Sequence, residues 1–261
     1  MLSMDISIII VSWNVKDLLK KCIESVLKYS QNVGYEIIVV DNASNDGTSD
    51  MIKQNFPQVK LITNKENFGF AKANNQGIRQ SKGDYVLLLN PDTEFIEDTL
   101  SKVIAKVESD KKIGVLGCRL LNQDRTLQPS VRRFPTIWSQ IVILLKLHKP
   151  FPLLLDNYLA KDFDYSREQK IDQVMGAFFL VRRSVFNQIG LLDEKFYIWF
   201  EEVDFCRRVW KAGYNVIYYP HISVVHKGGE SFKQQMTLTK QAWFFRSMAH
   251  YFLKKKERDH G

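Results

Sequence analysis

The stretch Asp84-Tyr85-Val86-Leu87-Leu88-Leu89-Asn90-Pro91-Asp92-Thr93 decides how this 261-residue chain is read. Val86 to Leu89 is too short and too uniformly apolar for an amphipathic element, so a strand buried on both faces of a sheet is expected. Pro91 lacks the amide hydrogen that a ladder needs and ends the run. Asp92 is thereby left at the carboxyl edge of the sheet, where open α/β sheets bind ligands. A carboxylate there is placed to hold a divalent cation against a phosphate. Asn, Pro, Asp and Thr also form ordinary Asx turns, so the reading depends on what the other strands deliver.

Towards the N-terminus, Ile6 to Val11 is a β-branched run that stops at Ser12-Trp13-Asn14, and Leu18, Leu19, Cys22, Ile23, Val26 and Leu27 then recur at helical spacing. Glu36 to Asp41 is a second strand that delivers a carboxylate at its end. Val59 to Thr63, a loop from Asn64 to Gly69 and a helix through Ala71 to Gln80 lead back to Val86. This alternation predicts an α/β sheet with parallel strands. Towards the C-terminus, a helix over Glu97–Glu108 and a strand over Ile113–Cys118 continue it. Arg119 to Pro135 is basic and turn-rich, holding Arg125, Arg132 and Arg133.

Ile137 to Leu155 is apolar with scattered Lys and Pro, either a helix packed on the body or a surface helix dipping into a membrane interface. Val174 to Val181 reads as one strand, with Gly176 where another group must approach closely. Glu201 to Ala212 is a helix that starts acidic and finishes basic, in accord with its dipole. A strand over Asn215–Tyr219, a loop at His226-Lys227-Gly228-Gly229 and a helix over Gln234–Lys256 complete the chain.

With 45% hydrophobic residues, the chain can bury a full core. Its three cysteines lack CxxC spacing, which argues against a zinc site or a disulfide framework and suits a reducing cytoplasm. Neither a secretory leader nor a membrane span is expected. The net charge of +8 favours polyanionic partners. The lysines are dispersed and no reading motif is present, so nucleic acid is not among the expected partners. Ser12 to Asn14, Asp41, and Asn90 to Asp92 all fall at one sheet edge. Asp41 can accept from a base or ribose, yet no glycine fingerprint follows the first strand, which favours a mononucleotide over a dinucleotide.

Five stretches, Val11 to Asn14, Val39 to Gly47, Asn67 to Asn75, Asn90 to Thr93 and Phe200 to Asp204, resemble in order and spacing the family-2 glycosyltransferases, especially bacterial rhamnosyltransferase-type members. The resemblance covers nearly the whole chain. It implies a GT-A fold: a Rossmann-like, mostly parallel nucleotide-binding sheet with a fused acceptor-binding part. The expected division is a nucleotide-sugar half over residues 1–118 and an acceptor half over 119–261, within one continuous domain. It also implies inverting transfer of a sugar, L-rhamnose from dTDP-rhamnose, onto a lipid-linked or polysaccharide acceptor in cell-surface glycan synthesis. The alternatives are a galactofuranosyl or N-acetylhexosaminyl transferase, or a non-catalytic nucleotide-binding protein.

The family's Asp-x-Asp motif falls on Asn90-Pro91-Asp92, so an amide replaces its first carboxylate. Asp92 and His226 are the implied ligands of Mg²⁺ or Mn²⁺. Ser12, Trp13, Asn14 and Asp41, with Asn67, Gly69, Lys72 and Asn90, are implied for a dTDP- or UDP-linked donor. Glu202 is the implied general base, and Trp199, Glu201, Asp204 and Arg132 are implied for the acceptor. Neighbouring helix residues point about 100° apart, so Glu201 and Glu202 are not expected to face the sugar together. The expected location is the cytoplasm, with peripheral contact at the inner face of the cell membrane through the Ile137–Leu155 segment and a basic cluster, Lys254-Lys255-Lys256 with Lys233 and Arg246.

Overall fold

A computed structural model describes residues 5–228 and 237–259. The elements in chain order are β1 (Ile6–Ser12), α1 (Lys16–Tyr29), β2 (Tyr35–Asp41), α2 (Thr48–Asn55), β3 (Lys60–Thr63), α3 (Phe70–Gln80), β4 (Tyr85–Leu89), β5 (Thr93–Phe95), α4 (Thr99–Ser109) and β6 (Ile113–Leu121). There follow β7 (Leu127–Gln128), β8 (Val131–Arg132), α5 (Ile137–Leu144), β9 (Gln169–Lys170), β10 (Gln173–Val174), β11 (Phe178–Arg182), α6 (Arg183–Ile189), α7 (Glu201–Lys211), β12 (Asn215–His226) and α8 (Thr237–Asp259).

The main sheet runs β3-β2-β1-β4-β11-β6-β12-β5, and β3, β2, β1 and β4 are mutually parallel. β4 is buried along its whole length, as its uniform apolarity predicts. Strand alternation sends its side chains both ways: Tyr85, Leu87 and Leu89 join the core beneath α1, α2 and α4, while Val86 and Leu88 join the core beneath α3, α6 and α7. The sheet is therefore the middle of three layers.

Three boundaries differ from the sequence reading. Val174–Val181 is not one strand: β10 pairs with β8, β11 pairs with β4 and β6, and Met175-Gly176-Ala177 bridges them. The final strand does not stop at Tyr219. Pro220 cannot donate to the ladder, but a register shift between Tyr219 and Ser223 absorbs it, and β12 resumes as far as His226, opposite Thr93 of β5. The apolar segment from Ile137 forms only an eight-residue helix followed by turns and a short 3₁₀ element at Pro152–Leu155. The expected 118/119 division runs through β6, and β11 from the second half lies between β4 and β6, so the two halves share one sheet.

Candidate active site

The carboxyl ends of β1, β2 and β4 open onto a cavity of about 360 Å³. Val11, Trp13, Asn42, Asn67, Gly69, Asn90 and Asp92 line one side, and Gly176, Tyr197, Trp199, Glu201, Glu202, His226 and Trp243 line the rest. Seven of the expected site residues reach it from the donor and metal sets or the base: Trp13, Asn67, Gly69, Asn90, Asp92, His226 and Glu202. Trp199 and Glu201 of the acceptor set join them.

The strand period explains which neighbours miss the cavity. Ser12 and Asp41 are in register across β1 and β2, so their side chains leave the sheet on one face, whereas Val11, Trp13 and Asn42 turn to the other. Ser12 is fully buried, its Oγ without a hydrogen-bond partner. Asp41 is consumed by its own turn, accepting from the Ser44 amide at 3.0 Å and the Ser49 hydroxyl at 2.5 Å. Asn14 adopts a left-handed φ of 52° and accepts from the Asn45 amide at 2.7 Å, joining the loops after β1 and β2. Lys72 stacks its ammonium on the Phe68 ring at 3.8 Å.

Asn42 takes the place the sequence reading gave to Asp41. Its amide donates to Asn67 Oδ1 at 2.7 Å and accepts from the Phe68 amide at 3.0 Å, fixing the loop before α3. Asn67 Oδ1 also accepts from the Gly69 amide at 3.0 Å. Gly69 has φ 80°, and a Cβ there would lie 2.3 Å from the Tyr197 carbonyl, so only glycine lets the two walls close.

At the end of β4, His226 Nε2 lies 3.3 Å from Asp92 Oδ1 and 3.4 Å from Asn90 Nδ2. Its Nδ1 faces Gln128 Oε1 at 2.7 Å, and that bond places the ring proton on Nδ1 and leaves the Nε2 lone pair facing Asn90 Nδ2 and Asp92. Ligands set at right angles around an ion with bonds of about 2.1 Å lie roughly 3 Å apart, so the 3.3 Å between His226 Nε2 and Asp92 Oδ1 fits a divalent cation, and Asn90, whose Nδ2 faces the imidazole, could join only through its Oδ1. The donors are one carboxylate, one imidazole and one amide; among the described residues no cluster of three His, Cys, Asp or Glu exists. One anionic ligand leaves most of an ion's charge for a diphosphate to balance.

At the opposite wall, Trp199 and Phe200 both take left-handed φ, 63° and 69°, immediately before α7. Such conformations persist only when packing enforces them. Here Phe196, Phe200, Val203 and Tyr251 form a cluster with Trp199, Phe244 and Met248, so α8 holds the bend shut. The bend brings Glu201 and Glu202 to the same cavity despite their angular separation, which corrects the expectation that only one would face it. The two carboxyl groups lie beside each other, and Glu201 Oε2 is buried without a hydrogen-bond partner among the described residues. Burial, and then the charge of Glu202, push Glu201 well above the ordinary carboxylate range, while burial pushes Glu202 up. Glu201 is raised the further of the two, so Glu202 is the member that more readily becomes the anion. The Gly176 amide supports that anion.

Two acceptor-set residues lie elsewhere. Asp204 is buried between Arg208 at 2.9 Å and Lys254 at 2.9 Å, an ion-paired support of α7. Arg132 donates to the Val131 carbonyl beside Tyr158. Lys254 also binds Asp193 at 2.5 Å, so it is committed internally and does not belong to a basic membrane cluster. The side chains of Lys255 and Lys256, and all of Lys233, lie outside the described residues. Tyr197, Trp243 and Asn42 line the cavity without having been singled out; Asn42 alone carried a signal, as the polar residue one step beyond Asp41.

Residues 7–190 match the model of Glycosyl transferase family 2, and the chain belongs to that family. It is 28% identical over 207 residues to N-acetylglucosaminyl-diphospho-decaprenol L-rhamnosyltransferase of Mycobacterium tuberculosis, a match covering 75% of this chain and 67% of that protein. It is 30% identical over 228 residues to Rhamnosyltransferase WbbL of Escherichia coli K12, covering 84% and 82%. The structure of GalNAc-T7 with UDP, GalNAc and Mn2+ aligns with TM-score 0.64 at 20% identity, over 85% of this chain and 44% of that one. The protein is a glycosyltransferase with a GT-A fold, similar to enzymes of glycan biosynthesis.

Proposed function

We propose that the protein is an inverting transferase that moves L-rhamnose from dTDP-rhamnose onto a lipid-linked or polysaccharide acceptor, working at the cytoplasmic face of a membrane. The observation that carries this reading is a single cavity with a cation-type donor set at one wall and the buried carboxyl groups of Glu201 and Glu202 at the other. The named substrates of the rhamnosyltransferase relatives support the choice of sugar and of a lipid-diphosphate acceptor.

In this reading Asp92, His226 and Asn90 hold Mg²⁺ or Mn²⁺, which supplies positive charge to the leaving diphosphate. Trp13 and the Asn42–Asn67 pair receive the nucleoside, an aromatic face with amide donors and acceptors beside it. Glu202 takes the proton from the acceptor hydroxyl as its oxygen attacks the anomeric carbon and the bond to the diphosphate breaks on the opposite face. Glu201 keeps its own proton and orients Glu202. One base suffices for a single displacement, whereas retention through a covalent intermediate would need a second carboxylate across the sugar.

A nucleotide-sugar panel read by thermal shift, with Mg²⁺ or Mn²⁺, tests it. At 100 times the dissociation constant a ligand adds about 2.7 kcal/mol. dTDP-rhamnose is expected to give the largest ion-dependent rise in melting temperature. A larger rise with UDP-galactofuranose or a UDP-N-acetylhexosamine would reassign the donor, and no rise with any of them would contradict the reading.

A further inference from the structure

A second cavity, about 590 Å³, opens between α5 and α8. Ile141, Leu144 and Leu145 form one wall and Phe244 and Phe245 the other, while Trp199 lies at its inner end. Trp199 also lines the catalytic cavity, so the two spaces adjoin at one residue. Its charged groups are both cations, Lys146 and Lys240. The capping box between Thr136 and Ser139 secures the start of α5, which nevertheless exposes Ile137, Trp138, Ile141 and Leu145. Phe151 and Leu153 continue this exposed apolar character beyond α5. Single exposed apolar side chains are ordinary, but a contiguous face of this kind marks a binding surface.

We propose that this groove holds the proximal isoprenoid units of a lipid-diphosphate acceptor. The inference rests on the reading that the acceptor is lipid-linked. Because the two cavities adjoin at Trp199, one molecule passing that residue would place its sugar hydroxyl at Glu202 and its chain between α5 and α8. Lys146 and Lys240 provide positive charge for the connecting diphosphate, where a glycan chain would instead require hydrogen-bonding walls. The groove offers a glycan one side-chain amide, Gln241.

The test is binding of dansyl-tagged geranyl and farnesyl diphosphate, followed by fluorescence in chelator, so that binding through a metal-held diphosphate is removed. Each methylene buried is worth up to about fourfold in affinity, so extension from ten to fifteen carbons is expected to tighten binding at least about tenfold. Leu145→Glu and Phe245→Glu are each expected to weaken the longer probe by about tenfold or more. Both positions are exposed, so their melting temperatures should stay near wild type.

Equal affinity for the two chain lengths, or unchanged binding in both variants, overturns the proposal. Loss of phosphatidylglycerol-vesicle binding in the variants with farnesyl diphosphate binding intact also overturns it and makes the face a membrane contact. Conversion of a dimer to a monomer by Leu145→Glu, without probe binding by wild type, assigns the face to a second copy and equally overturns it. Chain-length-dependent, variant-sensitive binding in a protein that responds to no rhamnose donor upholds the groove and removes the rhamnosyl reading, so the two failures are distinguishable.

Discussion

Glu201 and Glu202 are consecutive in the chain, yet both line the wall of one cavity. Both are raised above the ordinary value of about 4.3. A raised carboxyl keeps a proton in the folded chain that the unfolded chain releases. The pair therefore costs nothing below about pH 4 and increasingly destabilises the fold as pH rises from there through the folded-state titration. Glu201→Gln, which cannot ionise, should melt higher than wild type at pH 8 and equal to it near pH 4. A calorimetric pH series checks this, and a lower melting temperature at pH 8 would argue against a raised Glu201 carboxyl.

Gly176 lies where a Cβ would meet Glu202 Oε1 at 2.3 Å. Gly176→Ala should displace the carboxylate rather than unfold the chain, because the obstructing atom is the end of a flexible side chain. Misplacement of a reacting group by about 1 Å can cost on the order of 100-fold. Steady-state kinetics should show kcat down by roughly that factor with donor KM unchanged; an unaltered kcat would mean that Glu202 is not held where it acts.

Gln128 fixes the His226 ring through Nδ1. Partners of this kind are worth about 10- to 100-fold in metal affinity, so Gln128→Leu should weaken Mn²⁺ binding by that range, read by electron paramagnetic resonance with UDP present. Asp92→Ala should abolish it, and Asn90→Asp should tighten it by restoring a second carboxylate. Unchanged affinity in Asn90→Asp would remove Asn90 from the ligand set.

Lys254 bridges Asp193 and Asp204 at the junction of α8 with the body. Burial alone would raise the Asp193 carboxyl, but hydrogen bonds from Lys254 and His250 outweigh it and hold it well below the usual range. A lowered carboxyl stabilises above the unfolded value of about 3.9, and that contribution is lost as pH falls through the folded-state titration. Lys254→Met should cost roughly 2 kcal/mol at neutral pH, between the values for exposed and for buried pairs, and lose most of that effect only well below pH 3, as pH falls through the folded-state titration. Denaturant unfolding across that pH range measures it; an effect independent of pH would assign Lys254 to packing alone.

Much of the fold was legible because β4 announces itself: five consecutive buried positions, closed by Pro91, have few other structures open to them. Asp92, Asn90 and Trp13 followed from ending strands at one edge. Asp41 misled because its acidity suggested a ligand while strand alternation turned it into its own loop, leaving Asn42 to face the cavity. His226 is matched by resemblance but read as part of a loop, because the register shift that carries β12 past Tyr219 cannot be read from composition. Tyr197 and Trp243 are brought together by packing between a loop and α8, ring centroids 4.5 Å apart, and sequence separation conceals that contact. Asp204 belongs to the acceptor set that the resemblance implies, but its pairing with Arg208 and Lys254 depends on α7 and α8 packing together, which sequence spacing does not show.

The central claim is that Glu202 is the base of a metal-assisted sugar transfer. The most direct measurement is turnover of dTDP-rhamnose by wild type and Glu202→Gln, with donor affinity measured in parallel and a lipid-diphosphate acceptor supplied. Loss of a positioned base costs about 10²- to 10⁴-fold. Turnover should fall by that factor in Glu202→Gln while donor affinity stays within about twofold, as the proposal gives Glu202 a part in proton removal and none in holding the nucleotide. Wild-type turnover in Glu202→Gln, or its loss in Glu201→Gln with donor binding intact, would contradict the assignment.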